Sequence, residues 1–126
     1  MNGYHLLCRA DRKHDGGNVV GWCLFYPSVN RAFFSTGNFR CDDFVEVSIN
    51  TIERSADGMV DKNGTRIFEG DIIKTNEGEI YEVKNRKGCW AGVRGENEWE
   101  FLVTIANQSC IIGNKRDNPE LLEVSQ

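Results

Sequence analysis

The feature that most constrains this chain is the close spacing of glycine-containing turns between Met59 and Arg94. Each turn separates two short segments that are rich in β-branched, aromatic or alternating apolar residues, which is typical of strands. Segments this short leave no room for helices of ordinary length, so the pattern predicts a meander of antiparallel strands. The predicted turns are Asn63-Gly64, Gly70-Asp71, Glu77-Gly78 and Asn85-Arg86-Lys87-Gly88.

Two of these predicted strands divide their side chains between two faces. In residues 79–84, Tyr81 and Val83 share one face, whereas Glu82 and Lys84 share the other. Residues 89–94 form the partner strand and alternate in the same way. There Cys89, Ala91 and Val93 face one way, and Trp90 and Arg94 face the other.

The first half of the chain predicts further β structure. Residues 4–10 and 19–26 resemble two strands joined by a polar turn with two glycines, which favours an N-terminal hairpin. Short helical turns are expected after Asn50, within residues 99–106 and at residues 118–122. We therefore predict a mostly β fold, in which residues 1–58 form an N-terminal β-rich arm or subdomain and residues 59–126 form a small barrel.

Composition indicates an ordinary globular protein in a reducing compartment. Hydrophobic residues make up 40% and charged residues 27% of the chain, which disfavours disorder. The apolar runs are too short to cross a bilayer, and the N-terminus does not resemble a secretory signal, so we expect no membrane association and a cytoplasmic location. Five scattered cysteines, an odd number, favour free thiols over a disulfide framework.

Charge is balanced along the chain. Residues 1–60 hold six lysines and arginines against seven acids, and residues 61–126 hold nine against twelve. Because neither half is basic, the sequence carries no general electrostatic footprint for nucleic acid.

The densest group of oxygen-bearing side chains surrounds the Asn63-Gly64 turn. A calcium-binding EF-hand needs glycine at its sixth position and glutamate at its twelfth, but counting from Asp61 the glycine is fourth. Glu69 and Asp71 lie two apart, yet nothing in the sequence separates their environments as an acid–base pair requires. We predict a structural turn at Asp61, Asn63, Gly64, Gly70 and Asp71.

Signatures of other chemistry are also missing from the sequence. Zinc sites usually show two close pairs of cysteine or histidine ligands, and two histidines with five dispersed cysteines give none. The same residues form no local signature of a cysteine nucleophile. Since there is no glycine-rich phosphate loop either, we expect no metal, no cofactor and no catalytic residues.

Two motifs resemble those of the YopX family. The first is Asp61-Lys62-Asn63-Gly64 followed by residues 67–74, and the second is Ile111-Ile112-Gly113-Asn114 running into residues 117–122. Residues 7–13 and Gly21-Trp22 are similar to the family's opening in a looser way. The resemblance implies a protein encoded by bacteriophages or prophages, acting in the bacterial host cell, with an SH3-like barrel in its C-terminal part and no assigned activity.

The function favoured from these observations is non-catalytic binding or assembly. Exposed aromatic residues on a rigid barrel would bury surface against a protein of unknown identity or against another copy of the chain as a homo-oligomer. The candidate partner-binding residues are Trp22, Phe33, Phe34, Phe39, Trp90 and Trp99.

Weak binding of nucleic acid is the alternative, and an uncharacterised enzyme is the third hypothesis. Basic residues gather around one predicted hairpin, and strand alternation aims Trp90 to the same side as Arg94, as an aromatic platform beside positive charge. The acids at Glu96, Glu98 and Glu100 follow at once and weaken the local field, so nucleic acid is not favoured. The candidate nucleic-acid-binding residues are Lys84, Arg86, Lys87, Trp90 and Arg94.

Overall fold

A computed structural model of the protein describes residues 7–36, 44–95 and 97–124, with side chains as far as residue 122. These residues are mostly β, with a few short helical turns, as the sequence predicts. The elements are β1 Leu7–Asp11, β2 Asn18–Tyr26, β3 Arg31–Ser35, β4 Phe44–Val47, β5 Glu53–Val60, β6 Arg66–Phe68, β7 Asp71–Thr75, β8 Ile80–Arg86, β9 Cys89–Arg94, β10 Glu98–Phe101, α1 Leu102–Ile105, β11 Ser109–Asn114 and α2 Glu120–Val124.

The chain divides into two compact units, residues 1–55 and residues 56–126. We call them unit one and unit two. Strand β5 begins in unit one and continues into unit two. The sequence places its boundary after residue 58, inside the same strand, where no proline-rich or serine-rich linker marks a division.

Unit one is an antiparallel meander in the order β4-β3-β2-β1, and the first residues of β5 pair with β1. The N-terminal hairpin is β1 with β2, from Leu7 opposite Trp22 to Asp11 opposite Asn18. One face of the meander forms a core because its alternating positions carry small or apolar side chains. The buried residues of that core are Cys8, Ala10, Ala32, Phe34 and Val47.

Unit two contains a five-stranded antiparallel sheet in the order β10-β9-β8-β7-β11, together with the hairpin of β5 and β6. The sheet is open, and the arrangement is consistent with a small barrel-like fold. Its buried core draws on both the hairpin and the sheet. The core residues are Ala56, Ile67, Ile73, Tyr81, Val83, Trp90, Leu102 and Ala106.

The tightest reversal of unit two lies at Lys87-Gly88. Both residues have positive φ, 52° and 87°, and they join Arg86 directly to its partner Cys89, which is the geometry of a type I′ hairpin. The Asn63-Gly64 turn differs from the type I′ turn that its sequence favours, because only Gly64 has a positive φ. That loop closes through the amide of Asp61 on the carbonyl of Thr65, 2.8 Å away.

The helical segments are brief, and strands replace part of what local periodicity predicts. After Asn50 the chain makes only the 3-10 turn Ile49–Thr51 before β5 begins. Within residues 99–106 the first residues belong to β10 because they pair with β9, and helix α1 starts only at Leu102. In the described part of the chain, no helix has the length and apolar character needed to cross a membrane.

Candidate functional site

Asp61 lies at the centre of the turn that the sequence singled out. Its carboxylate is almost fully buried and accepts backbone amides from three places. Oδ1 accepts from Asn63 and Thr65 at 2.9 Å, and Oδ2 accepts from Ile111 of β11 at 3.1 Å. The side chain therefore holds the β5–β6 hairpin to an edge strand fifty residues away in sequence.

These contacts also set the charge state of Asp61. Burial by itself would raise the pKa of the carboxyl, but the amides of Ile111, Thr65 and Asn63 and the nearby Lys62 outweigh it. The pKa of Asp61 therefore lies below its ordinary value. Asp61 is thus an ionised structural anchor at neutral pH.

The second acidic position of the motif makes a similar contact. Asp71 is buried, and its Oδ2 accepts the amide of Phe68 at 2.8 Å. Gly70 has a φ of 89°. Its amide donates to the carbonyl of Val83, and its carbonyl accepts the amide of Lys115. No group of three or more histidine, cysteine, aspartate or glutamate side chains suited to a metal ion occurs in residues 7–36, 44–95 and 97–124.

Unit one presents an aromatic surface on the side of its sheet opposite the core. Strand alternation brings Val20, Trp22, Leu24 and Tyr26 of β2 to this side, and Phe33 of β3 lies directly opposite Leu24. Trp22 is 36% and Tyr26 49% exposed. We call these five residues the aromatic face.

Contacts within the aromatic face fix the orientation of its rings. Tyr26 and Phe33 meet edge to face with centroids 5.9 Å apart, and the guanidinium of Arg31 lies 5.1 Å from the Phe33 ring. Arg31 also forms two hydrogen bonds with Glu46, each 2.9 Å long. The hydrogen bonds from Arg31, assisted by Lys13, lower the pKa of Glu46 to about 2.

Phe34 requires a correction. It was grouped with the exposed aromatics, but the structure buries it completely. Phe34 pairs with Cys23 and Val45, so its side chain points to the core side of the sheet, and its neighbour Phe33 points to the other. Phe39, also a candidate, lies outside the described residues.

Unit two carries a second aromatic surface, on the side of its sheet away from the core. Trp99 and Phe101 of β10 are 42% and 49% exposed and meet edge to face at 4.9 Å. The guanidinium of Arg86 lies 5.4 Å from the Trp99 ring. Register places Lys84 in the same cross-strand row as Phe101, through Ala91 of β9. We call Lys84, Arg86, Trp99 and Phe101 the cation–aromatic strip.

Two members of the predicted nucleic-acid set lie elsewhere. Trp90 is buried, because the Lys87-Gly88 turn sets a register that pairs Trp90 with Asn85 and so places it on the core side with Val83. Arg94 bonds to Glu79 at 3.0 Å and lies over the Tyr81 ring, away from the strip. Burial and the charge of Glu79 raise the pKa of Tyr81.

Phe101 and Tyr26 are exposed rings that were not predicted from the sequence. Glu98-Trp99-Glu100-Phe101 alternates strictly between acid and aromatic, which is a strand pattern, but the helical spacing of the residues after it led us to predict a helix. Tyr26 lies two residues beyond Leu24 in β2, so the alternation of side chains along a strand would have placed it on the same side as Trp22.

Comparison with family models gives a match to the model described as YopX protein over residues 29–123. That range covers three quarters of the chain and includes both motifs around Asp61 and Gly113. Comparison with curated proteins gives no match.

Proposed function

This chain belongs to the YopX family, and we propose that it is a non-catalytic binding module that acts through protein contacts or self-association. The observation that supports this proposal is the aromatic face of unit one. A sheet that exposes a tryptophan, a tyrosine and aliphatic side chains in one continuous row has the composition of an interface core rather than of ordinary protein surface.

The aromatic face suits a protein partner because its rings are already held in place. Tyr26 is fixed against Phe33, and Phe33 is held by the Arg31 guanidinium. Rings that are ordered before binding lose less conformational entropy when a partner covers them. Tryptophan and tyrosine in such positions commonly contribute about 2 kcal/mol or more each to binding.

The acids of the family motif support a structural rather than a chemical use of unit two. Asp61 accepts backbone amides with both carboxylate oxygens, and Asp71 accepts another. Carboxylates whose lone pairs are taken by backbone amides serve the fold. In this proposal unit two is the scaffold, and the setting is the cytoplasm of a bacterium that carries the encoding phage or prophage.

The test compares two double variants of surface rings. Trp22→Ser with Tyr26→Ser removes the centre of the aromatic face, and Trp99→Ser with Phe101→Ser serves as the matched control, because it removes a similarly exposed pair from unit two. Sedimentation across a wide concentration range measures self-association. Affinity purification from host cells, with nuclease treatment, measures binding of other proteins.

Concentration-dependent association, or nuclease-resistant capture of a protein, that is lost in the unit-one variant and kept in the unit-two variant supports the proposal. A protein that stays monomeric at every concentration and captures nothing after nuclease treatment contradicts it. Equal loss in both variants also contradicts it, because the aromatic face would then have no special role.

A further inference from the structure

We propose that the cation–aromatic strip of unit two binds single-stranded nucleic acid, with bases stacking on Trp99 and Phe101 and phosphates contacting Lys84 and Arg86. The strip is a different surface from the aromatic face and takes no part in the proposed protein contacts. Its exposed rings, Trp99 and Phe101, take the place that was predicted for Trp90, which is buried.

The aromatic part of the strip offers π-faces to a flexible strand. Trp99 and Phe101 lie two residues apart on β10, which is the last strand at its edge of the sheet. They are held edge to face, so one ring supports the orientation of the other. Bases of a single strand stack on such rings whatever their sequence, whereas the bases of a duplex are already stacked on each other.

The basic part of the strip lies across β9 from these rings. On this side of the sheet, between the rings of β10 and the basic residues of β8, strand β9 contributes Cys89, Ala91 and Val93, which are small or medium-sized side chains. Arg86 reaches across to the Trp99 ring, and an arginine in this position can stack on a base while it meets a phosphate. The spacing thus brings stacking and charge to one side of the sheet.

Two of the three acids that weakened this hypothesis in the sequence point the other way, and the third, Glu96, lies outside the described residues. Glu98 and Glu100 alternate with Trp99 and Phe101, so they project from the opposite side of β10. The electrostatic influence of Glu100 on Tyr81, a core residue, agrees with this orientation. Glu82 does lie on the strip's own side, 3.9 Å from Lys84 and 3.5 Å from Lys115.

Charge also distinguishes the strip from the aromatic face of unit one. There Arg31 and Lys13 are both paired with Glu46, so each of these cations beside the rings already holds a carboxylate. In the strip Lys84 is paired with Glu82, but neither Arg86 nor the neighbouring Lys87 takes part in a salt bridge within the described residues. A polyanion gains from cations that hold no carboxylate, and this favours nucleic acid over an uncharged protein surface.

The experiment measures anisotropy of a fluorescein-labelled oligothymidylate of about 12 nucleotides titrated with the full chain. We expect binding that weakens roughly tenfold when salt rises from about 50 to 200 mM, since two or three phosphate contacts give a log–log slope near −1.4 to −2. A duplex of the same length should bind less tightly. Heparin, a polyanion without bases, separates general charge attraction from stacking.

Three variants locate the site. Trp99→Ala should weaken binding about tenfold with the salt slope unchanged, because it removes stacking, and Phe101→Ala should act in the same direction. Arg86→Gln should weaken binding and reduce the steepness of the salt slope by roughly 0.7. Phe25→Ala, which removes an exposed aromatic ring of unit one outside the aromatic face, is the matched control and should leave affinity unchanged. Thermal unfolding checks that each variant remains folded.

No binding to the oligonucleotide at low salt overturns the inference. Binding that survives Trp99→Ala, Phe101→Ala and Arg86→Gln, or that heparin reproduces with the same dependence on Trp99, also overturns it. Failure here leaves the proposed protein contacts standing, because those depend on Trp22 and Tyr26 and are measured after nuclease treatment.

Discussion

Both units of this protein bury one side of an antiparallel sheet, but Glu46 of unit one and Asp61 of unit two are held in different ways. In unit one Glu46 is held at the surface by the side chains of Arg31 and Lys13. In unit two Asp61 is buried and held by three backbone amides, one of them from β11. The difference shows two ways to keep a carboxylate ionised: side-chain cations at the surface, and backbone amides around a buried group.

The largest expected effect tests how far unit one depends on packing. Phe34→Ala should lower the free energy of unfolding by about 3–5 kcal/mol, because the ring is fully buried among small residues and leaves a cavity. Urea-induced unfolding, with hydrogen exchange to follow the amides of β1 to β4, measures it. Phe33→Ala, on the aromatic face, is the control and should cost only about 1 kcal/mol. Similar losses in the two variants would contradict the assignment of core and exposed sides.

The next effect tests the buried anchor of unit two. Asp61→Asn should lower the free energy of unfolding by about 1–3 kcal/mol at pH 7, because an amide NH₂ would face a backbone N–H that now has no acceptor. Chemical denaturation measures the loss. Asp57→Asn, an exposed residue on the same hairpin, is the control and should change stability little.

Lowering the pH should remove the difference in stability between wild type and Asp61→Asn. Because the pKa of Asp61 is lower in the folded state than in the unfolded chain, its contribution is complete above the unfolded value of about 3.9 and is lost as pH falls through the folded value. Wild type and Asp61→Asn should therefore converge in stability at the lowest pH at which both remain folded. A gap that stays constant with pH would show that the charge of Asp61 contributes nothing.

A smaller effect tests the turn beside Asp61. Gly64→Ala should cost roughly 1 kcal/mol, because its φ of 81° is unfavourable for a side chain although the space around it is open. Gly64→Asn should cost less, since asparagine tolerates positive φ better than other residues with side chains. Thermal unfolding of the two variants side by side measures the difference. Equal costs would indicate that something other than backbone conformation sets the turn.

The smallest expected effect compares the two acids directly by NMR titration of their carboxyl carbons. The pKa of Glu46 should rise toward its ordinary value in high salt, because an exposed ion pair is screened. The pKa of Asp61 should move less, since its carboxylate is buried and is held by neutral backbone amides rather than by an exposed ion pair. Arg31→Gln should raise the pKa of Glu46 and leave that of Asp61 unchanged. Equal salt shifts would remove the contrast between the units.

Much of the fold could be predicted from the sequence, because its strands are short and its turns carry glycine. The candidate surfaces were harder to predict. Trp22 and Trp99 are exposed as expected, but Trp90 and Phe34 are buried. Each strand shows which residues share a side, yet which of its two sides becomes the core depends on neighbours that the strand alone does not reveal.

Local residues alone determined the meander, its turns and its alternating faces, since glycine conformations and a period of two depend only on neighbours along the chain. The tertiary structure decided the rest. Residues 98–101 became a strand because they pair with β9, although the apolar residues just after them have helical spacing. The register set by the Lys87-Gly88 turn placed Trp90 on the core side of the sheet. The contact of Asp61 with Ile111 joins residues far apart in sequence, and only folding brings a carboxylate and an amide across such a separation.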